Sequence, residues 1–201
     1  MVRGMEGANG GGKGGAGGDV REELARALMA VGAVEFGDFV LASGRRSDVY
    51  VNVKRAVTRP GILRLCARAM ADHIGGAVRI AGVELGAVPL AVAVSLETGL
   101  PFIMVRKRPK DHGTQSLLEG ELEPADEVVL VEDVTTTAGS AVKAVYALRE
   151  GGATITRVVA VIDRGEGATE ALAAEGVELI PILTLSELRK RAQARAPAKA
   201  P

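Results

Sequence analysis

Apolar residues in this chain fall into two kinds of run. Some recur at helical spacing with polar residues between them; others are nearly continuous, as in strands buried on both faces. DVREELARALMAVGAV, residues 19–34, is of the first kind, and Asp19 is its expected N-cap. FVLASGRRSDVYVNV reads as two short strands about a Ser-Gly turn. Pro60 suits the first turn of a helix running to about Ile74. AVRIAGV is then a buried strand, PLAVAVSLETG a helix ended by Gly99, and PFIMVR another strand. EVVLVED is a strand stopping at Glu132-Asp133, followed by the helix AGSAVKAVYALREGG. TRVVAVID, GATEALAAEG and VELIPIL repeat the alternation, and Ser186 is expected to cap a final helix, SELRKRAQ. Apolar strands separated by helices predict an α/β domain with a mostly parallel sheet covered on both faces.

The two ends depart from this pattern. Residues 1–18, MVRGMEGANGGGKGGAGG, cannot bury enough surface to offset the entropy of ordering them and are expected to be a disordered tail. Residues 191–201, basic and rich in Ala and Pro, read as a flexible C-terminal tail. Residues 19–190 then form a single domain.

Charge narrows the possible partners. Lys+Arg and Asp+Glu are both 25, and a balanced chain argues against nucleic acid as the main partner. Aromatic residues are 2% of the chain, too few for a base-stacking platform. No apolar stretch is long enough to span a bilayer, and the N-terminus has no signal-like apolar run. Cys66 stands alone, so no internal disulfide is expected; the thiol is predicted to be buried and the protein to be cytoplasmic.

Ligands of a parallel sheet bind beyond the carboxyl ends of its strands, which directs attention to four loops. In VVLVEDVTTTAGS, residues 128–140, two acids end a strand and a hydroxyl cluster leads into a helix. A helix N-terminus offers free N–H groups to a phosphate. Glu132 and Asp133 would repel that phosphate, so they suit another part of the same ligand, such as the hydroxyls of a sugar. RKRPKDHGTQSLLEG, residues 106–120, concentrates Arg106, Lys107, Arg108, Lys110 and His112 after a strand; such a loop suits closure over a polyanion. GVELGAVPL, residues 82–90, allows close backbone approach at Gly86 and Ala87, and VIDRGEG places Asp163 and Arg164 at a strand end. Neither GxxxxGK[ST] nor a GxGxxG after a strand is present, which excludes a P-loop and leaves a dinucleotide site unsupported.

Together these segments resemble the orotate phosphoribosyltransferases, within the type I phosphoribosyltransferase family. VVLVEDVTTTAGS resembles the family's phosphoribosyl-diphosphate signature, RKRPKDHGTQSLLEG its catalytic loop, LASGRRSDVYVN its N-terminal segment and VIDRGEG its D-R element. The resemblance covers roughly residues 20–185. It implies a type I phosphoribosyltransferase-like fold with a small N-terminal hood at about 33–55. It implies a glycosyltransferase of pyrimidine (UMP) biosynthesis, converting orotate and 5-phosphoribosyl 1-diphosphate into orotidine 5′-monophosphate and pyrophosphate. Mg²⁺ is implied, carried mainly by substrate and water rather than by direct protein ligands, and so is a homodimer sharing loop 106–116.

By the same resemblance Lys110, His112 and Asp133 are catalytic. The diphosphate substrate falls to Arg106, Lys107, Lys110, His112, Glu132, Asp133, Val134, Thr135, Thr136, Thr137, Ala138, Gly139 and Ser140. Orotate falls to Thr136 and Arg164, with Ser43, Tyr50 and Asn52 covering the base. Four places depart from many or some relatives, six residues in all: Ala138 replaces glycine, Gly86 and Ala42 replace lysine, and Thr114-Gln115-Ser116 replaces a glycine-rich run. A purine-base transferase would share 128–140 but lack the R-K-x-x-K-D-H-G loop. A non-catalytic regulator on the same fold could dispense with the loop lysines and the acids, which this chain keeps.

Overall fold

Buried Val, Ile, Leu and Ala build a six-stranded sheet whose two faces are both covered. The computed structural model describes residues 16–40, 44, 46–108 and 116–195. In chain order the sheet strands are β3 (Arg79–Val83), β4 (Phe102–Val105), β5 (Leu118–Glu119), β6 (Val128–Thr135), β7 (Arg157–Asp163) and β8 (Glu178–Thr184). They lie side by side as β5-β4-β3-β6-β7-β8; only the β4–β5 pair is antiparallel. Alternate residues along each strand serve opposite faces. Val129, Val131, Val159 and Val161 pack with α1 (Ala16–Ala30), α3 (Pro60–Ala71), α4 (Val88–Thr98) and α7 (Leu185–Arg195). Val128, Leu130, Val158 and Ala160 pack with α5 (Gly139–Glu150) and α6 (Ala168–Ala173). Cys66 is buried in the first of these layers, as expected.

The strand order decides where a ligand can enter. β3 lies between β4 on one side and β6 on the other, so the chain's direction of travel across the sheet reverses at the β3–β6 boundary. The loops leaving neighbouring strands part at such a point and open a crevice. Close packing brings the helix after β3 down to that boundary. A Cβ on Gly82 would lie 2.6 Å from the carbonyl oxygen of Ala87 and 2.8 Å from the Ala91 Cβ, so only glycine lets α4 sit this near β3.

The hood is a separate antiparallel hairpin, β1 (Val34–Val40) with β2 (Arg46–Val51), followed by the short helix α2 (Val53–Val57). α7 secures it. Arg189 donates to Asp48 Oδ2 at 2.7 Å, and its guanidinium lies 5.0 Å from the Phe36 ring centroid. α7 also reaches α1 through Arg191 and Glu22 at 3.0 Å, while Arg21 donates to the Ile182 carbonyl at 2.8 Å.

Several boundaries differ from the sequence reading. α1 starts at Ala16, so Asp19 is inside the helix rather than its cap, and residues 16–18 are not tail. α7 spans Leu185–Arg195, one residue earlier and two later than the expected SELRKRAQ, and runs past the expected domain end at 190. Thr184, not Ser186, caps it: the Thr184 hydroxyl accepts from the Glu187 N–H at 3.2 Å, while Glu187 Oε2 accepts from the Thr184 N–H at 2.9 Å. This reciprocal pair satisfies donors that Ser186, already within the helix, cannot reach. α2 and β5 were not expected; both are too short to leave a period in the sequence.

Gly82→Ala should destabilise the fold by about 2 kcal/mol through overpacking. Thermal unfolding should show a Tm lower by roughly 4–8 °C; an unchanged Tm would refute the close approach of α4.

Candidate functional site

The crevice at the β3–β6 boundary holds a cavity of about 250 Å³. β3 and its loop supply Val83, Glu84 and Gly86; β6 and its loop supply Glu132, Asp133, Val134, Thr136 and Ser140. Lys107 enters from the end of β4, and Asn52 and Lys54 from the hood side. A larger and more apolar cavity of about 510 Å³ adjoins it along α5, sharing Lys107 and Ser140 and including Leu117 and Tyr146. The larger cavity lacks the paired acids, so the smaller one is where polar chemistry can be directed.

The acids differ sharply from each other. Glu132 is buried, and its carboxyl is pushed up to about 7, first by burial and then by the adjacent Asp133 charge. A hydrogen bond from Ser140 Oγ at 3.3 Å and the positive charge of Lys107 oppose that shift. Asp133 turns the other way. Its Oδ1 accepts from the Val134 N–H at 3.0 Å and its Oδ2 pairs with Lys54 Nζ at 3.5 Å. One strand end thus presents a carboxyl titrating near neutrality beside a paired carboxylate.

β6 runs two residues beyond the expected stop, because Val134 and Thr135 pair with Ile162 and Asp163 of β7. The extension changes the part Thr135 can play. Its hydroxyl is buried and donates to Asp163 Oδ1 at 2.8 Å, so the side chain braces β6 against β7 and is not offered to a ligand. Thr136 lines the cavity, and Thr137, Gly139 and Ser140 are exposed at the turn. The free N–H groups of the first turn of α5 lie there, a geometry suited to a phosphate. Ala138 takes a left-handed conformation, φ 56°, immediately before α5, with its methyl buried against that helix. The turn demands this backbone angle, which glycine reaches without strain and alanine does not.

The loop after β3 approaches with backbone alone at Gly86. A Cβ there would lie 2.8 Å from Asp133 Cγ and 2.9 Å from Lys54 Cε. Glu84 Oε1 accepts from the Lys107 N–H at 2.6 Å and so fixes the start of the basic loop. Of that loop, Arg106 turns aside to Glu119 at 3.5 Å. Lys110 and His112 lie outside the described residues, as do Ser43, Ala42 and Thr114-Gln115.

Near the cavity's other rim, Asn52 caps α2 and donates to the Tyr50 hydroxyl at 3.0 Å. Arg164 follows β7, its N–H donating to the Thr135 carbonyl at 3.0 Å and its Nη2 pairing with Glu166 at 2.8 Å. Its Nε is buried with no partner among the described residues, and Arg164 is not among the residues lining the cavity. Lys54 and Glu84 had no signature in the sequence, since each acts on a residue distant along the chain.

A model of the phosphoribosyl transferase domain matches residues 52–189. The chain is 49% identical over 172 residues to the orotate phosphoribosyltransferase of Methanocaldococcus jannaschii, covering 85% of this chain and 98% of that protein. It is 48% identical over 169 residues to the Methanothermobacter thermautotrophicus enzyme of the same name, covering 84% and 94%. The crystal structure of Mycobacterium tuberculosis orotate phosphoribosyltransferase with Fe(III) dicitrate superimposes with a TM-score of 0.76 at 36% identity, covering 84% of this chain and 98% of that one. The same enzyme in complex with 5-phospho-α-D-ribosyl 1-diphosphate superimposes with a TM-score of 0.71 at 32% identity, covering 85% and 99%.

The pH response of Glu132 has a definite sign. A carboxyl with a raised native pKa favours the fold at low pH, and that contribution is lost as pH rises from about 4.5 to about 7. Glu132→Gln should therefore raise Tm at pH 8 and much less at pH 5, measured by calorimetry. Equal shifts at the two pH values would show that Glu132 is not held in a desolvated, like-charged position.

Proposed function

We infer the reaction from one premise: this chain belongs to the phosphoribosyltransferase family and, within it, to the orotate phosphoribosyltransferases. The protein is a pentosyltransferase of pyrimidine biosynthesis, joining orotate to the phosphoribosyl group of 5-phosphoribosyl 1-diphosphate. One observation in the site supports this reading above the others. A single crevice carries ribose-binding acids on one wall and, around the same space, a helix N-terminus and lysines suited to phosphate.

The division of labour follows from charge. Asp133 and Glu132 accept hydrogen bonds from the ribose hydroxyls; a proton held by Glu132 near neutral pH eases the repulsion between them. Backbone N–H groups at 139–140, with Thr136, Thr137 and Ser140, hold the 5′-phosphate at the start of α5. Arg164 and Thr136 meet orotate, a guanidinium being suited to a carboxylate, and Tyr50 and Asn52 cover the base from the hood. Orotate's ring nitrogen forms a bond to the sugar's anomeric carbon as the carbon–oxygen bond to pyrophosphate breaks. Positive charge develops on the sugar and negative charge on the leaving group, so cations at the leaving group and exclusion of water lower the barrier. Lys107, Lys110 and His112 supply those cations, and Arg106 joins them only on leaving its pair with Glu119.

Glu132 and Asp133 are hard oxygen donors, compatible with an Mg²⁺ that reaches the cavity on the diphosphate and its water shell. When bound, that ion spreads the charge of the leaving pyrophosphate. A homodimer whose loop 106–116 reaches the neighbouring site completes the reading. Leu85 beside the cavity loop is 75% exposed, an apolar surface that a second subunit would cover. No helix among the described residues is long and apolar enough to cross a membrane, which accords with a cytoplasmic enzyme.

With Mg²⁺, 5-phosphoribosyl 1-diphosphate and orotate, the purified protein should deplete orotate's ultraviolet absorbance. Turnover with a purine base and not with orotate, or with no base at all, would overturn the reading. Lys110→Ala should lower the rate far more than affinity, and Asp133→Asn should chiefly weaken diphosphate-sugar binding. Mixed and re-associated, these two variants should regain about a quarter of wild-type activity if each site borrows its partner's loop, because half the dimers then hold one intact site. Failure to regain activity would place both groups in one subunit.

A further inference from the structure

Lys54 lies outside the four motifs that carry the family resemblance, yet it stands inside the cavity. Its position follows from local structure. β2 ends at Val51, Asn52 caps α2, and Lys54 lies in the first turn of that helix, aimed from the hood towards the end of β6. Its ammonium is 3.5 Å from Asp133 Oδ2, a loose ion pair, and its side chain is 62% exposed where that of Asp133 is 13% exposed. Its Cε occupies space at Gly86 that any Cβ on that residue would contest, at 2.9 Å. The loop after β3 contributes backbone and no cation at this point, and Lys54 takes the vacant place.

We propose that Lys54 is a further catalytic residue, binding the diphosphate of the sugar substrate and charge-stabilising pyrophosphate as it leaves. The proposal rests on the transferase reading above. Before substrate arrives, Lys54 offsets the Asp133 charge that would repel a polyanion from the crevice. Ribose hydroxyls then take over Asp133, and the freed ammonium turns to the diphosphate a short distance away. The exchange leaves neither charge unpaired, which is why an exposed, loosely held lysine suits it better than a buried one. Lys107, at the end of β4, faces the same space from the opposite side, so the diphosphate would lie between two ammonium groups contributed by different elements.

Titration with inorganic pyrophosphate and Mg²⁺, followed by calorimetry, tests Lys54 apart from any reaction. Lys54→Met should weaken pyrophosphate binding about ten- to a hundredfold, the worth of a charge-assisted contact, and raise KM for the diphosphate sugar similarly. KM for orotate should stay close to the wild-type value. Lys54→Arg should recover most of the affinity. Should Lys54→Met fail to fold, Lys54→Gln, polar and uncharged, serves in its place. Wild-type pyrophosphate affinity in the uncharged variant would overturn the proposal and reduce Lys54 to a screen for Asp133. Absence of orotate turnover by the wild-type protein would sink the transferase reading instead, and the pyrophosphate titration would still decide Lys54.

Discussion

Two carboxyl groups at the end of one buried strand repel each other, and the architecture around the crevice answers that repulsion. Burial and the neighbouring charge push the Glu132 carboxyl towards its protonated form. The chain separates the two: Glu132 points back to Ser140 and α5, and Asp133 points out to Lys54 and its own backbone. Gly86 is forced by the same arrangement, because a side chain there would strike the Asp133 carboxyl. A ligand with hydroxyls at one end and phosphates at the other suits both the acids and the cations around them.

Placement of this pair depends on the sheet. Reversal of strand order between β3 and β6 opens the only kind of gap in which two loop systems diverge from adjacent parallel strands. Gly82 then draws α4 close, and the Thr135–Asp163 bond fixes the neighbouring strand end so that Thr136 and Arg164 emerge together. A fold of this class accommodates many activities, and the site on it, rather than the sheet, sets the chemistry.

Much of this was legible in the sequence. Continuous apolar runs identified the parallel strands, and the order strand, acids, hydroxyls, helix pointed to the turn that lines the crevice. The unread parts have physical reasons. Thr135 looked like its hydroxyl neighbours, and only pairing of β6 with β7 shows its side chain facing inward. The cap of α7 was misplaced by two residues because Thr184 and Ser186 are both good caps, and the choice lies in Glu187's reach. Lys54 is one of 25 basic residues, and nothing local marks it; its meaning is a contact across the fold. The alanine at 138, a departure from many relatives, takes its meaning from the backbone, where φ is 56°.

The bonds from α7 to the hood and to α1 join residues 141 and 169 positions apart. During synthesis the ribosome releases the hood and α1 long before Arg189 and Arg191 exist to hold them. The contacts by which α7 holds the hood therefore form only once nearly the entire polypeptide has emerged. Anchoring of the hood by α7 is thus a late event in the life of each nascent chain.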